Sequence, residues 1–207
     1  MTASPDDTCD PLRRTDRLPT RLWTLGHSNQ TLEDFLLLLD AHGIEAIADI
    51  RRFPGSRRLP QFARPALCEA LLENGTGYAW FPELGGRRRP RPDTPNDAWR
   101  NVSFRGYADH LHSEEFAEGM ARMSDFARQQ RTALMCAEVL WWRCHRSLVS
   151  DVLKLAGVEV LHIFDQTHVS EHPFTSPARL NHGQLSYGHE GEKLGRPKAR
   201  RPAAGGA

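Results

Sequence analysis

The sequence predicts an α/β fold: one domain with a mainly parallel sheet of about five strands and helices on both faces. Short apolar segments typical of strands alternate with longer segments of helical periodicity over residues 21–174. One strand segment, Thr132–Cys136, is continuously apolar, as expected for a parallel strand buried on both faces. The chain is 39% hydrophobic and 26% charged, values typical of globular proteins.

Each element follows from a local signal. The predicted strands are Leu22–Leu25, Glu45–Ile50, Tyr78–Phe81, Thr132–Cys136 and Val158–Phe164. The predicted helices are Leu32–Ala41, Pro65–Glu73, Tyr107–Gln130 and Arg146–Leu155. Thr31 is a suitable N-cap for the first helix, Pro65 suits the first position of the second, and Gly157 ends the last.

The two ends of the chain differ from this pattern. Residues 1–20 are polar and are predicted to form a flexible leader. Residues 175–207 lack apolar periodicity and end in a basic, low-complexity stretch, so we expect a disordered tail. A nucleic-acid-binding arm is the alternative interpretation of this tail.

Composition restricts the function. The net charge is +1, so a preference for anions must come from local clustering of cations. The four cysteines are irregularly spaced, and neither a secretory signal nor a segment long enough to span a membrane is present. We therefore expect a cytoplasmic protein with reduced thiols and no membrane partner, and the sequence does not predict an oligomeric state.

Polar residues follow each predicted strand. Ligands of parallel α/β sheets bind beyond the carboxyl ends of the strands, so these residues are candidates for one site. The catalytic candidates are His27, Asp49, Cys136, Glu138, Cys144 and His145. The anion-binding candidates are Ser28, Arg51, Ser56, Gly85, Gly86 and Arg146. No cofactor is predicted.

The segment from Cys136 to Arg146 is the most informative. A strand ends in a thiol, and after a short loop a helix opens with Cys144, His145 and Arg146. The N–H groups and the positive dipole end at the start of a helix bind anions and favour a thiolate. Arg146 is accordingly interpreted as an anion clamp, with a structural ion pair to Glu138 or Asp49 as the alternative.

Each candidate also has a simpler interpretation. Ser28 can merely start a helix, Asp49 and Arg51 can form a structural ion pair, and Cys136 can be a small buried side chain. Metal binding by Cys136, Cys144 and His145, with Glu138 as a further donor, is another alternative.

These motifs together resemble a known family. Leu25 to Ser28, Asp49 to Arg51, Leu84 to Gly86, Cys136 to Glu138 and Cys144 to Arg146 occur in this order. The combination resembles the bacterial family called domain of unknown function 488, over roughly residues 22–165. The resemblance implies a compact α/β fold and a site at these motifs, without a reaction. The arginine-rich insertion after Gly86 departs from the family's pattern.

The sequence thus favours an enzyme, a hydrolase or a transferase, acting on an anionic substrate at the carboxyl edge of the sheet. The substrate would be a nucleotide, a nucleic-acid component or another phosphorylated molecule. One alternative is a non-catalytic module that binds nucleic acid or a small ligand. Another is a metal-binding protein.

Overall fold

The central sheet contains five parallel strands and one antiparallel edge strand. A computed structural model describes residues 18–55 and 57–194 of the chain. The strands of this sheet are β1 (Arg21–Gly26), β2 (Ala46–Asp49), β3 (Gly77–Trp80), β4 (Thr132–Cys136), β5 (Glu159–Ile163) and β6 (Val169–Glu171). Their spatial order is β3-β2-β4-β1-β5-β6, and only β6 runs antiparallel to its neighbour. The predicted α/β fold with a mainly parallel sheet is confirmed.

Helices cover both faces of the sheet. They are α1 (Leu32–Ala41), α2 (Arg64–Glu73), α3 (Val102–His110), α4 (Glu114–Ala127) and α5 (Arg146–Leu155). Side chains alternate along the strands, so Leu22 and Leu134 pack with α3, α4 and α5, whereas Trp23 and Ala133 pack with α1 and α2. The domain therefore has one hydrophobic cluster on each face of its sheet.

Capping side chains define the helix boundaries. The Thr31 hydroxyl accepts the Asp34 N–H at 3.0 Å, as predicted for the start of α1. The predicted helix from Tyr107 to Gln130 is instead two helices. Asn101 caps α3 and Ser113 caps α4, so the chain turns between them.

The segment from residue 175 onward corrects a prediction. Three strands, β7 (Arg179–Asn181), β8 (Gln184–Ser186) and β9 (Glu192–Lys193), form a second, antiparallel sheet. Tyr187, which is 1% exposed, packs into the main hydrophobic cluster with Ala178 and Leu185. Residues 175–194 are therefore ordered, because a few apolar side chains dock a polar, glycine-rich segment. Most of the predicted leader (1–17), Ser56 and the basic end of the tail (195–207) lie outside the described residues.

Among the described residues, none of the helices has the length and apolar character needed to cross a membrane. The carboxyl ends of the five parallel strands all lie at one edge of the main sheet. A functional site is expected at that edge.

Candidate functional site

A cleft of ≈ 470 Å³ lies at the carboxyl edge of the sheet. Four arginines and one glutamate line it: Arg51, Arg52, Arg87, Arg143 and Glu138. The first turn of α3 adds Asn101 and Ser103. We call this space the cationic cleft. Its volume lies within the range of small-molecule sites, and its charge suits an anion.

Two cysteines and a histidine meet in this cleft. Cys136 ends β4, and Cys144 and His145 directly precede α5. The His145 Nδ1 atom lies 3.6 Å from the Cys144 Sγ atom and 4.0 Å from the Cys136 Sγ atom. The three atoms lie within 4.8 Å of one another. We call this group the Cys–His cluster; its donor atoms could hold a metal ion.

The two thiols of the cluster differ in acidity. Burial alone would raise the pKa of Cys144, but the hydrogen bond from Cys136 and the charges of His145 and Arg146 outweigh it. The pKa of Cys144 therefore lies well below its usual value. The hydrogen bond to Cys144, together with burial, raises the pKa of Cys136. Cys144 is the better nucleophile or metal donor of the two.

Glycines allow the segments of the site to approach closely. A Cβ atom on Gly26 would lie 1.8 Å from the Glu138 carbonyl oxygen, so only glycine lets the 136–139 loop rest on β1. A Cβ atom on Gly86 would lie 2.8 Å from His145 Nδ1, and one on Gly85 would lie 2.6 Å from Arg52. Gly85 and Gly86 therefore let the loop approach Arg52 and the His145 ring, and Gly86 also lines the cleft.

Asp49 and Arg51 form a buried ion pair behind the cleft wall. Arg51 donates from Nε and Nη2 to the Asp49 carboxylate, and the Tyr78 hydroxyl donates to the same carboxylate at 2.8 Å. Arg51 Nη1 also donates to the Phe62 carbonyl at 2.8 Å. The structural interpretation of this pair accounts for all these contacts, and Asp49 itself does not line the cleft.

His27 lies against this ion pair. Its Nε2 is 3.3 Å from Arg51 Nη1, and its ring stacks on Phe62 with centroids 4.1 Å apart. Burial and the charge of Arg51 lower the pKa of His27 to about 4. A neutral His27 accepts the Arg51 N–H and helps to position it; neither His27 nor its neighbour Ser28 lines the cleft.

Arg146 lies behind the cleft, directed away from it. The side chain is 1% exposed, and its Nη2 donates to the backbone carbonyls of Glu138 and Val139. Its Nη1 donates to the Thr24 hydroxyl at 3.3 Å, and its Nε finds no partner among the described residues. Among the described residues, no carboxylate pairs with this guanidinium, which instead holds the 136–139 loop.

A buried chain of polar side chains continues from Arg146. The Thr24 hydroxyl lies 2.7 Å from His162 Nδ1, His162 Nε2 lies 2.9 Å from His172 Nδ1, and His172 Nε2 lies 3.0 Å from Asp151. The Asp151 carboxylate also accepts from Thr175 and Tyr187. We call Thr24, His162, His172 and Asp151 the buried relay. Each group can donate a hydrogen bond to the next, from Arg146 through Thr24, His162 and His172 to Asp151. In this arrangement every donor and acceptor of the relay has a partner.

The sequence candidates thus separate into two groups. The cationic cleft brings together Arg51, Gly86, Cys136, Glu138, Cys144 and His145. His27, Ser28, Asp49, Gly85 and Arg146 support its walls from behind. Sequence reasoning missed Arg52 and Arg143 as cleft residues, although each is the immediate neighbour of a named candidate or its motif.

Comparison with known families agrees with this geometry. Residues 31–153, more than half of the 207-residue chain, match the family described as "Domain of unknown function DUF488". The chain belongs to the DUF488 family. The matched range contains all the named residues of the cationic cleft, but of the buried relay it contains only Asp151. No curated protein and no solved structure matches the chain.

Proposed function

We propose that this DUF488 protein is an enzyme that acts on an anionic substrate, a nucleotide or a nucleic-acid component, in the cationic cleft. One observation carries the proposal: four arginines, one glutamate and the Cys–His cluster line the same cleft. Positive charge and a reactive cluster at one cleft are the two parts such an enzyme needs.

The arginines differ in their availability for an anion. Arg51 is engaged by Asp49, so Arg52, Arg87 and Arg143 are the side chains that contact the substrate. A guanidinium binds a phosphate through two parallel hydrogen bonds, and the N–H groups at the start of α3 add to the same field. We therefore assign the phosphate position to the space between these arginines and Asn101.

A nucleobase has a place beside this phosphate position. Phe53 lines the cleft and is 66% exposed, an unusual exposure for a phenyl ring. Its neighbour Arg52 lies over the ring at 5.7 Å. Bases stack on exposed aromatic rings without strong preference for sequence, so Phe53 suits a nucleotide better than a simple sugar phosphate.

The chemical step would use the cluster and the glutamate. Cys136, Cys144 and His145 supply the reactive centre, and the carboxylate of Glu138, on the same cleft, transfers protons. Hydrolysis and group transfer both fit this set of residues. His27 and Asp49 contact Arg51 in the cleft wall and take no direct part in this scheme.

A second groove favours one alternative, a non-catalytic nucleic-acid-binding module. This groove, of ≈ 600 Å³, shares Arg52, Phe53 and Arg87 with the cleft. Three further arginines line it: Arg88, Arg89 and Arg91. Arg88 is held by Glu115, but the other arginines of this groove would contact phosphates of a strand, and such binding weakens steeply with salt.

Binding tests the anion site first. Isothermal titration with ATP and with inorganic phosphate should give clear binding to the wild type and a large loss in the double variant R52A/R143A. The control is R128A, because Arg128 is exposed and lies at the opposite edge of the sheet. Equal affinities of R52A/R143A and R128A would contradict the proposed cleft.

Turnover then separates the enzyme from the binding module. Incubation with a set of nucleotides and short oligonucleotides, followed by chromatography, should reveal a product that C144S does not form. Strong, salt-sensitive binding of single-stranded DNA with no product would instead establish the module. Substrate binding by C144S without turnover would support the enzyme.

A further inference from the structure

We propose that Cys136, Cys144 and His145 bind one divalent metal ion of the zinc class, with a coordination position open to the cationic cleft. This deepens the proposed function, on which it rests for the nature of the molecule at that open position. The metal site itself is argued from the geometry of the three side chains alone.

The distances match those of metal ligands. Zinc binds sulfur at about 2.3 Å and imidazole nitrogen at about 2.0–2.1 Å, which places N and S ligands of a tetrahedral site about 3.6 Å apart. The His145 Nδ1 atom lies 3.6 Å from Cys144 Sγ and 4.0 Å from Cys136 Sγ. The cluster therefore needs only small shifts to enclose an ion.

The tautomer of His145 is the one that binds a metal through Nδ1. His145 Nε2 lies 3.1 Å from the backbone carbonyl oxygen of Ile50, which can only accept a hydrogen bond. Nε2 therefore keeps a proton, and Nδ1, which gives up its own proton when a metal binds, is the nitrogen left to face the two sulfurs. In most metal-binding histidines, the nitrogen that does not bind the metal donates a hydrogen bond like this one, which fixes the orientation of the ring.

Gly86 keeps the ligand side of the ring accessible. Any side chain at this position would begin 2.8 Å from His145 Nδ1 and would displace the donor atom. The backbone at this position therefore suits metal binding.

The donor set indicates the ion and its use. Two sulfurs and one imidazole favour zinc over magnesium or calcium, which prefer oxygen ligands. Three protein ligands are typical of catalytic rather than structural zinc sites, because the fourth position holds water or substrate. Here all three ligands line the cationic cleft, so that position lies beside Glu138 and the phosphate-binding arginines.

Metal content and cobalt spectra test the proposal. Reduced protein purified without added metal should contain about one zinc ion per chain, as expected for a single Cys₂His site. Replacement by Co²⁺ should give thiolate-to-cobalt charge-transfer absorption and strong visible bands of tetrahedral cobalt. In C144S the charge-transfer intensity should fall by about half, because one of two sulfur ligands is lost.

Two further variants keep the test independent of folding. C68S removes an exposed cysteine on α2 and should retain the full spectrum. G86A keeps all three ligand residues in the sequence, but its added methyl group displaces the His145 ring. The cobalt bands should therefore shift or weaken. Circular dichroism establishes that each variant is folded.

The outcomes distinguish this proposal from the proposed function. A cobalt spectrum in wild-type protein that binds neither ATP nor phosphate would support the metal site and contradict the proposed function. No charge-transfer band in folded wild type, or equal losses in C68S and C144S, would overturn the metal site. Phosphate binding that survives the loss of metal would leave the proposed function standing.

Discussion

The Cys–His cluster and the buried relay contain similar side chains in opposite surroundings. The cluster opens onto the cationic cleft of ≈ 470 Å³. In the relay, His162, His172 and Asp151 are each at most 1% exposed, and their partners are protein groups. Arg146 links the relay to the loop that follows Cys136, since it donates both to Thr24 and to the Glu138 carbonyl.

The difference separates stability from function. A sealed network whose donors and acceptors all find partners holds the fold in one arrangement. The three residues of the cluster instead line a space that solutes can enter. We expect changes in the relay to affect folding and changes in the cleft to affect binding.

The largest expected effect comes from Asp151→Ala. This change leaves His172, Thr175 and Tyr187 without their common acceptor. The free energy of unfolding should fall by about 3–5 kcal/mol, because each buried donor left without an acceptor costs about 1–3 kcal/mol. Chemical denaturation measures it. The control, Asp125→Ala, removes an exposed carboxylate paired with Arg128 and should cost less than about 0.5 kcal/mol. Similar losses of unfolding free energy in the two variants would show that the buried relay contributes no more to stability than an exposed ion pair.

The relay should also make stability depend on pH. Burial and the neighbouring His172 and Arg146 lower the pKa of His162 from 6.5 to about 2. Below pH 6.5, His162 therefore binds a proton in the unfolded chain but stays neutral in the folded chain. The free energy of unfolding falls as the pH falls. Between pH 6.5 and 5 this loss is about 2 kcal/mol for His162.

A variant isolates this contribution. His162→Gln should be less stable than the wild type at pH 7 but should lose less stability between pH 6.5 and 5. The measurement is the urea midpoint at several pH values. An identical pH slope in both proteins would show that His162 is protonated in the fold or that other groups dominate.

A smaller effect is expected from Tyr187→Phe. The phenol donates to the Asp151 carboxylate at 2.9 Å, and hydrogen bonds to charged groups contribute about 1.5–3 kcal/mol. The ring still fills its buried position, so we expect a loss near the lower end of that range. A change below about 0.5 kcal/mol would mean that the second sheet adds little to the stability of the relay.

The smallest effect on stability is expected from Arg143→Ala. Arg143 is exposed at the cleft, so its removal should change the unfolding free energy by less than about 0.5 kcal/mol. The same variant should nevertheless weaken the binding of phosphate. A stable protein with unchanged affinity would assign the phosphate position to Arg52 and Arg87 alone.

Much of the fold could be predicted from local patterns. Strand β4 and helices α1 and α5 have the predicted bounds, because continuous apolar residues, a threonine cap or a terminal glycine mark them. Residues 175–194 gave no such signal. Their order depends on contacts distant in sequence, such as the bond from the Tyr187 N–H to Asn96.

The same limit applies to the site. Cys136, Glu138, Cys144 and His145 were predicted together because a strand end and a helix start bring them close in sequence. The ion pair of Asp49 with Arg51 was one of the interpretations open from the sequence, but the role of Arg146 was not predictable, because its partner Thr24 comes from a separate strand. Whether a charged side chain faces a cleft or a carbonyl depends on such distant partners.

The docking of Tyr187 on Asp151 has a consequence for synthesis. The ribosome synthesises the chain from its N-terminus. Every strand of the parallel sheet and the five helices of the described residues are therefore made before residue 187. Until then, Asp151 lacks the hydrogen bond from Tyr187, although the preceding elements of the domain have been made. A nascent chain halted after β5 would carry all the arginines of the cleft, yet its Asp151 would remain open to water. The bond from Tyr187 to Asp151 is therefore among the last contacts of the buried relay to form.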